Sequence, residues 1–165
     1  MSGIGDTAAV IKTTILTVAN VGVVFDYQPY PAAEWDKFIA TFTSTIGGVP
    51  RLRAFTVQYL GERRVPRTIG GTSGAIQTRE IDWLVRAHWG LDDPTTDLAF
   101  RDKLEEVCDA IDRERGLNGV AGATDHDPVD VSLPERGAPI LLGDIVCHYA
   151  EITFTSYHEQ SLNLS

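Results

Sequence analysis

Sulfur is scarce in this chain. Its 165 residues hold one methionine and two cysteines, Cys108 and Cys147. Two cysteines with no C-x-x-C spacing exclude a disulfide framework and a thiolate zinc site. Each lies in an apolar pattern, so both are expected as buried free thiols, which suits a reducing compartment. A long hydrophobic run is also missing. Nothing approaches the roughly 18 apolar residues that cross a bilayer, so no membrane partner is expected. Met1 to Asp6 carries no basic residue, so a secretory signal is not expected either. Positive charge is in deficit, with 14 Lys and Arg against 23 Asp and Glu and a net of −9. That argues against wrapping duplex DNA, where cationic side chains displace counterions.

What is present is core material. A chain that is 43% hydrophobic and 22% charged is not disordered, and this length predicts one domain over 1–165. The charge is unevenly spread. Residues 1–50 carry 2 basic and 4 acidic groups, residues 51–90 carry 7 and 3, and residues 91–165 carry 5 and 16. Such a layout suits a protein whose basic face meets the acidic face of another copy.

Apolar periodicity divides the chain. Ala8, Ile11, Ile15 and Val18 recur at helical spacing and predict a helix over 6–19, capped by Asp6 or Thr7. Residues 20–31 read as an extended, aromatic connection. Trp35, Phe38, Ile39, Phe42 and Ile46 form the stripe of a second helix over 32–46, begun by Pro31 and ended by Gly47-Gly48. Alternation predicts a strand over 52–60 and another over 79–89. In the second, Ile81, Trp83, Val85, Ala87 and Trp89 share one face. A third helix over 97–115 buries Phe100, Leu104, Val107, Cys108 and Ile111, and Gly116 and Gly119 stop it. Val129, Val131 and Leu133 alternate as a short strand, and 145–157 is the last one. Residues 120–128 are expected as a polar loop, and 158–165 as a polar tail, mobile or bound to a partner.

Between the first two strands lie residues 61–78, with four glycines, one proline and Arg63, Arg64 and Arg67. This segment reads as a long β-hairpin arm. The expected fold is therefore α+β: an antiparallel sheet covered on one face by helices, in the order α-α-β-β-α-β-β, with that arm.

Few constellations carry chemistry. Asp125-His126-Asp127 has metal-binding residue types, but three adjacent side chains cannot converge on one ion, so a turn is expected. Cys147 and His148 are neighbours on a strand and point to opposite faces, so they cannot act as a nucleophile and its base. His148 falls in the apolar alternation and reads as a core histidine. Ser73 sits in the glycine-bearing loop, a poor place for a preorganised nucleophile. Gly70-Gly71-Thr72-Ser73-Gly74 lacks the lysine and following helix of a phosphate loop. No cofactor, no metal site and no catalytic residue are expected. The concentrated basic feature is Arg63, Arg64 and Arg67. It reads as a contact with acidic groups on a neighbouring chain or a transient contact with passing nucleic-acid phosphate, or as a solvated hairpin tip. The arm lacks the aromatic residues on which single-strand binders stack bases.

The run REIDWLVRAHWGLDD, then LEEVCDAI, a glycine-rich turn, PVDVSLP and the closing LLGDIVCHYAEITFTSYHEQ carry a family resemblance. The arrangement resembles the tail terminator proteins of tailed bacteriophages, also called tail completion or head–tail joining proteins. It covers most of residues 5–160 and is one of layout and local phrasing. The resemblance implies a virion structural protein, not an enzyme, whose subunits close into a homo-oligomeric, hexameric ring. Such a ring caps the tail tube protein, halts tube polymerisation and meets the neck or head connector protein. It would be assembled in the host cytoplasm and reside at the head-proximal end of the tail, with genomic DNA passing transiently through its lumen. Other readings stay open: another connector or tail-tube-type ring protein, a ligand-binding module, or a small hydrolase or metal enzyme using Asp125, His126 or His148.

Overall fold

A computed structural model describes residues 3–30, 35–67, 75–91, 95–117, 120, 122–134 and 137–162. The fold is mixed α and β and is mostly sheet. The elements in chain order are α1 (Ile4–Leu16), β1 (Val23–Phe25), α2 (Trp35–Thr41), β2 (Thr43–Ile46), β3 (Val49–Pro66), β4 (Ala75–Gly90), α3 (Thr96–Arg113), β5 (Ala123–His126), β6 (Asp130–Ser132), β7 (Ile140–Leu142) and β8 (Ile145–Leu162). The sheet runs β1-β3-β4-β8-β5, with β2 also against β3 and with β6 and β7 also against β8. β1 lies parallel to β3, and the other pairs are antiparallel.

The alternation of β4 is realised as expected. Ile81, Trp83, Val85, Ala87 and Trp89 are all buried. They form one cluster with Phe55 and Val57 of β3, Ala150, Ile152 and Phe154 of β8, and the inner stripes of α1 and α3. Each large side chain buried there contributes about 1.5–3 kcal/mol. Arg53 lies over the Trp89 ring at 3.9 Å and closes one end of this core.

The second helix departs from expectation. It ends at Thr41, and residues 43–46 form β2. Thr43, Thr45 and Ile46 are β-branched and favour a strand. Gly47 and Gly48 have φ of 60° and 79°, and Ile46 pairs with Val49 across them. That is a two-residue type I′ hairpin rather than a helix end. α2 also stands on the opposite side of the sheet from α1 and α3. Phe38, Phe42, Leu52, Ala54 and Cys147 make a small second cluster there. Helices therefore cover one face well and the other only in part.

Two further expectations change, and one strand appears where none was expected. Residues 123–126, expected as loop, pair with β8 as β5. Residues 140–142 form β7, a hairpin partner of β8 across Gly143 and Asp144. Residues 158–162, expected as a polar tail, continue β8, which pairs with β4 from Gly90↔Cys147 to Ala75↔Leu162. Residues 163–165 lie outside the described residues.

Gly22 shows the tightest backbone approach. Its φ is +91°, and a Cβ there would overlap the Arg53 carbonyl oxygen. Gly22→Ala is expected to cost about 2 kcal/mol or more, since strain and clash act together. A thermal unfolding midpoint within a degree of the wild type would contradict this.

Candidate assembly interface

β3 and β4 pair continuously, from Arg53↔Trp89 to Pro66↔Gln77, with one irregularity between Tyr59 and Gly61. That bulge decides the electrostatics. In the register of Tyr59↔Trp83, continued without a shift, Glu62 would face Glu80 and Arg63 would face Arg79. Like charges directly opposite are destabilising. The shift instead sets Arg63 against Glu80 and Glu62 against Ile81, and leaves one like-charge pair, Arg64 against Arg79, with Glu62 between them. Arg63 Nε then donates to Glu80 Oε2 at 2.8 Å.

The sheet faces divide the remaining charges. Glu62 accepts from Arg79 Nη2 at 2.6 Å and from Arg64 Nε at 2.6 Å. Arg79 first and Arg64 second hold the Glu62 carboxyl below its usual range. Arg67 Nε donates to Thr78 Oγ1 at 3.1 Å. Arg63, Arg64 and Arg67 thus sit at one end of the sheet, with Arg63 and Arg64 on opposite faces of β3. Arg63 and Arg64 remain 75% and 59% exposed. Exposed pairs of this kind contribute little in water. Residues 68–74, which include Ser73 and the glycine run, fall outside the described residues.

Next to Arg79 lies a buried polar chain. Trp83 Nε1 donates to Ser156 Oγ at 2.8 Å, and Ser156 Oγ is 2.9 Å from His158 Nε2. Ser156 Oγ thus bridges the indole and the imidazole, and the histidine tautomer sets which of the two donates between Ser156 and His158. Ser156 is fully buried and His158 is 2% exposed. Burial first, then Arg79, lowers the His158 pKa, against an opposing pull from Glu62. A serine beside a histidine suggests hydrolysis, but a substrate has no access to this hydroxyl. The pair instead fastens the outer part of β8 to the core.

The other candidates are placed as follows. His126 is buried, with Nδ1 2.6 Å from the Asp127 carbonyl and Nε2 2.9 Å from the Ile111 carbonyl. Both ring nitrogens are thereby occupied, and Asp125 and Asp127 point elsewhere. Asp127 accepts from the Tyr157 hydroxyl at 3.0 Å. His148 stacks on Phe100 at 5.4 Å, on the face opposite Cys147. Burial pushes both Cys108 and Cys147 up to about 11, so neither supplies a ready thiolate. A concavity of about 590 Å³ lies between α1 and α3 and includes Val10, Thr13, Thr17, Glu106, Arg113 and Glu114. It brings no histidine or cysteine to a carboxylate. Among the described residues no group of three His, Cys, Asp or Glu is placed to hold a metal ion.

Sequence reasoning missed the partners Glu62, Glu80, Arg79 and Thr78, and the Ser156–His158 pair. Charge alternation flanking the arginines was the available signal, but the bulge reverses which residues share a face.

Two outcomes test this region. Ser156→Ala leaves the Trp83 N–H buried without an acceptor and is expected to cost about 1–3 kcal/mol in urea unfolding at pH 7. The pH dependence follows from the lowered His158 pKa. Unfolded histidine takes up its proton near the ordinary value of 6.5, whereas the folded protein resists it to lower pH. Stability therefore falls as pH drops below about 6.5. His158→Gln is expected to flatten part of that slope, and equal slopes in both proteins would remove His158 from the account.

No protein-family model matches the chain, and no curated protein matches it.

Proposed function

We propose that this chain is the subunit of a homo-oligomeric ring of the phage tail terminator kind, a structural protein that caps a tail tube and joins it to the neck. The reading rests on the sequence resemblance together with one observation. Arg63, Arg64 and Arg67 stand at the end of three long paired strands, and Arg63 and Arg64 are largely exposed with only surface partners. On this reading β3, β4 and the intervening turn act as an arm. β8 runs beside β4 as a third strand and stiffens it. The partner surface is the acidic half of the next copy, since residues 91–165 carry 16 acidic groups against 5 basic ones. The contact is heterologous, one patch on one copy against a different patch on the next, and such contacts close into rings. A net acidic wall also lets DNA pass without adhering, because like charges repel.

A ring of six subunits of 18.0 kDa has a mass of roughly 108 kDa, which light scattering resolves from a monomer. Arg64→Glu is expected to prevent ring formation or tube capping while leaving the subunit folded. Glu62 keeps Arg79 as its partner in that variant. A variant that assembles on tube and neck as the wild type does would remove the arm from the contact.

A further inference from the structure

The second, smaller cluster has a weak point. α2 spans seven residues, far fewer than the roughly 12–15 an isolated helix needs in water. It therefore depends on what lies beneath it. Beneath Phe42 lies His88, 9% exposed, with its ring 5.8 Å from Phe42 and 5.1 Å from Tyr149. The other buried histidines have polar partners near their ring nitrogens: His126 two carbonyls, His158 the Ser156 hydroxyl, His148 the Asp97 carboxylate at 3.9 Å. His88 Nδ1 has no hydrogen-bond partner among the described residues.

We infer that His88 is an acid-sensitive latch: its protonation lifts α2 and the Phe42 ring off the sheet and uncovers Cys147, while the main core stays folded.

The surroundings of His88 offer an imidazolium nothing. On its own strand the nearby charge is Arg86, which repels it. From β8 come Tyr149 and Glu151. Glu151 already accepts from Arg86 Nε at 3.3 Å and from the Tyr149 hydroxyl. From β3, Ala54 stands opposite and Thr56 pairs with Arg86. The turn after α2 presents Phe42, and the ionisable residues of α2, Asp36 and Lys37, are exposed. The Cys147 thiol in the same cluster is held neutral by burial. Burial first, then Arg86, brings His88 down to about 4. An unfolded or lifted histidine protonates near 6.5, so acid favours the open form throughout that interval.

The main core also has histidines against it, His126 on Phe154 and His148 on Phe100, but each of these has a polar partner near its ring nitrogens, which His88 Nδ1 lacks. α2 contributes Phe38 and the half-buried Ile39 to its cluster, and Phe42 follows directly after the helix, a much smaller apolar contact than the main core. Cys147 is fully buried in this cluster, with Leu52 and Ala54 of β3 and the half-buried Ile140 and Leu142 of β7 beside it. Lifting α2 exposes its sulfur, which is a direct readout.

The experiment labels the full chain with 4,4′-dithiodipyridine, which reacts with thiols at acid pH, and maps the sites by peptide mass. Rates at Cys147 are divided by those of the urea-unfolded chain at the same pH, and Cys108 is followed separately. The expected result is a rise at Cys147 of roughly 50-fold between pH 7 and pH 4.5. Amide exchange in β4 and β8 should stay protected over the same range. In His88→Gln the rise should vanish. His88→Phe keeps a ring without a titrating nitrogen and serves if the glutamine variant does not fold. A flat rate at Cys147, a rise that persists in the His88 variants, or loss of β4 and β8 protection at the same pH would each overturn the latch.

Discussion

The pairing of β4 with β8 is the constraint on which the rest depends. Sixteen residues of β4 find partners on β8 without a register shift, although the chain between them includes α3 and three short strands. Closing such a span costs conformational entropy before any contact offsets it. The offset comes from apolar pairs along the join: Trp83 opposite Phe154, Val85 opposite Ile152, Ala87 opposite Ala150. The Trp83 indole and the Ser156 hydroxyl add a buried hydrogen bond across the same seam. Once the seam exists, each remaining element has a place. β3 adds to one side, β5, β6 and β7 to the other, and α1 and α3 cover the apolar face.

Such a sheet has edges, and they are treated differently. The outer edge of β8 is paired by three short strands at three levels. The outer edge of β3 is paired by β2 and β1 only as far as Thr56 among the described residues. Beyond that point come a bulge at Tyr59–Gly61, two arginines and Pro66. Those are the features that keep an exposed strand from templating another chain by backbone pairing. A contact made there must therefore use side chains. That is consistent with a role for Arg63 and Arg64 in recognition rather than for the backbone in strand addition.

The parts of this fold legible in the sequence are those where hydropathy has a single reading. β4 alternates between large apolar and polar residues, and α3 repeats apolar residues at helical spacing, so both were readable. The second helix was misread because Phe38, Phe42 and Ile46 keep a spacing of four whether 43–46 is helix or strand. Gly47-Gly48 did not decide between them, since left-handed glycines end helices and turn hairpins alike. The outer part of β8 was misread for another reason. Ser156, His158 and Glu159 look like solvent-exposed residues. Yet Ser156 and His158 satisfy each other's hydrogen bonds, and hydropathy cannot register a polar pair that is buried because it is mutual. The arginines were found without their partners because one bulge, invisible to alternation, reverses the faces.

The cis partners of these arginines bear on what association could achieve. Exchanging an exposed intrachain pair for an interchain one leaves the number of ion pairs unchanged, so the gain in free energy is small. Glu62, shared by Arg64 and Arg79, loses least when Arg64 leaves, since Arg79 is mostly buried beside it. Arg64 is therefore the arginine that moves to a neighbour most cheaply. Arg63, bound by two nitrogens to Glu80, gives up more if it turns to a neighbour. Specificity in such a contact comes from register and opposite charge, and strength from many copies acting together in a closed ring.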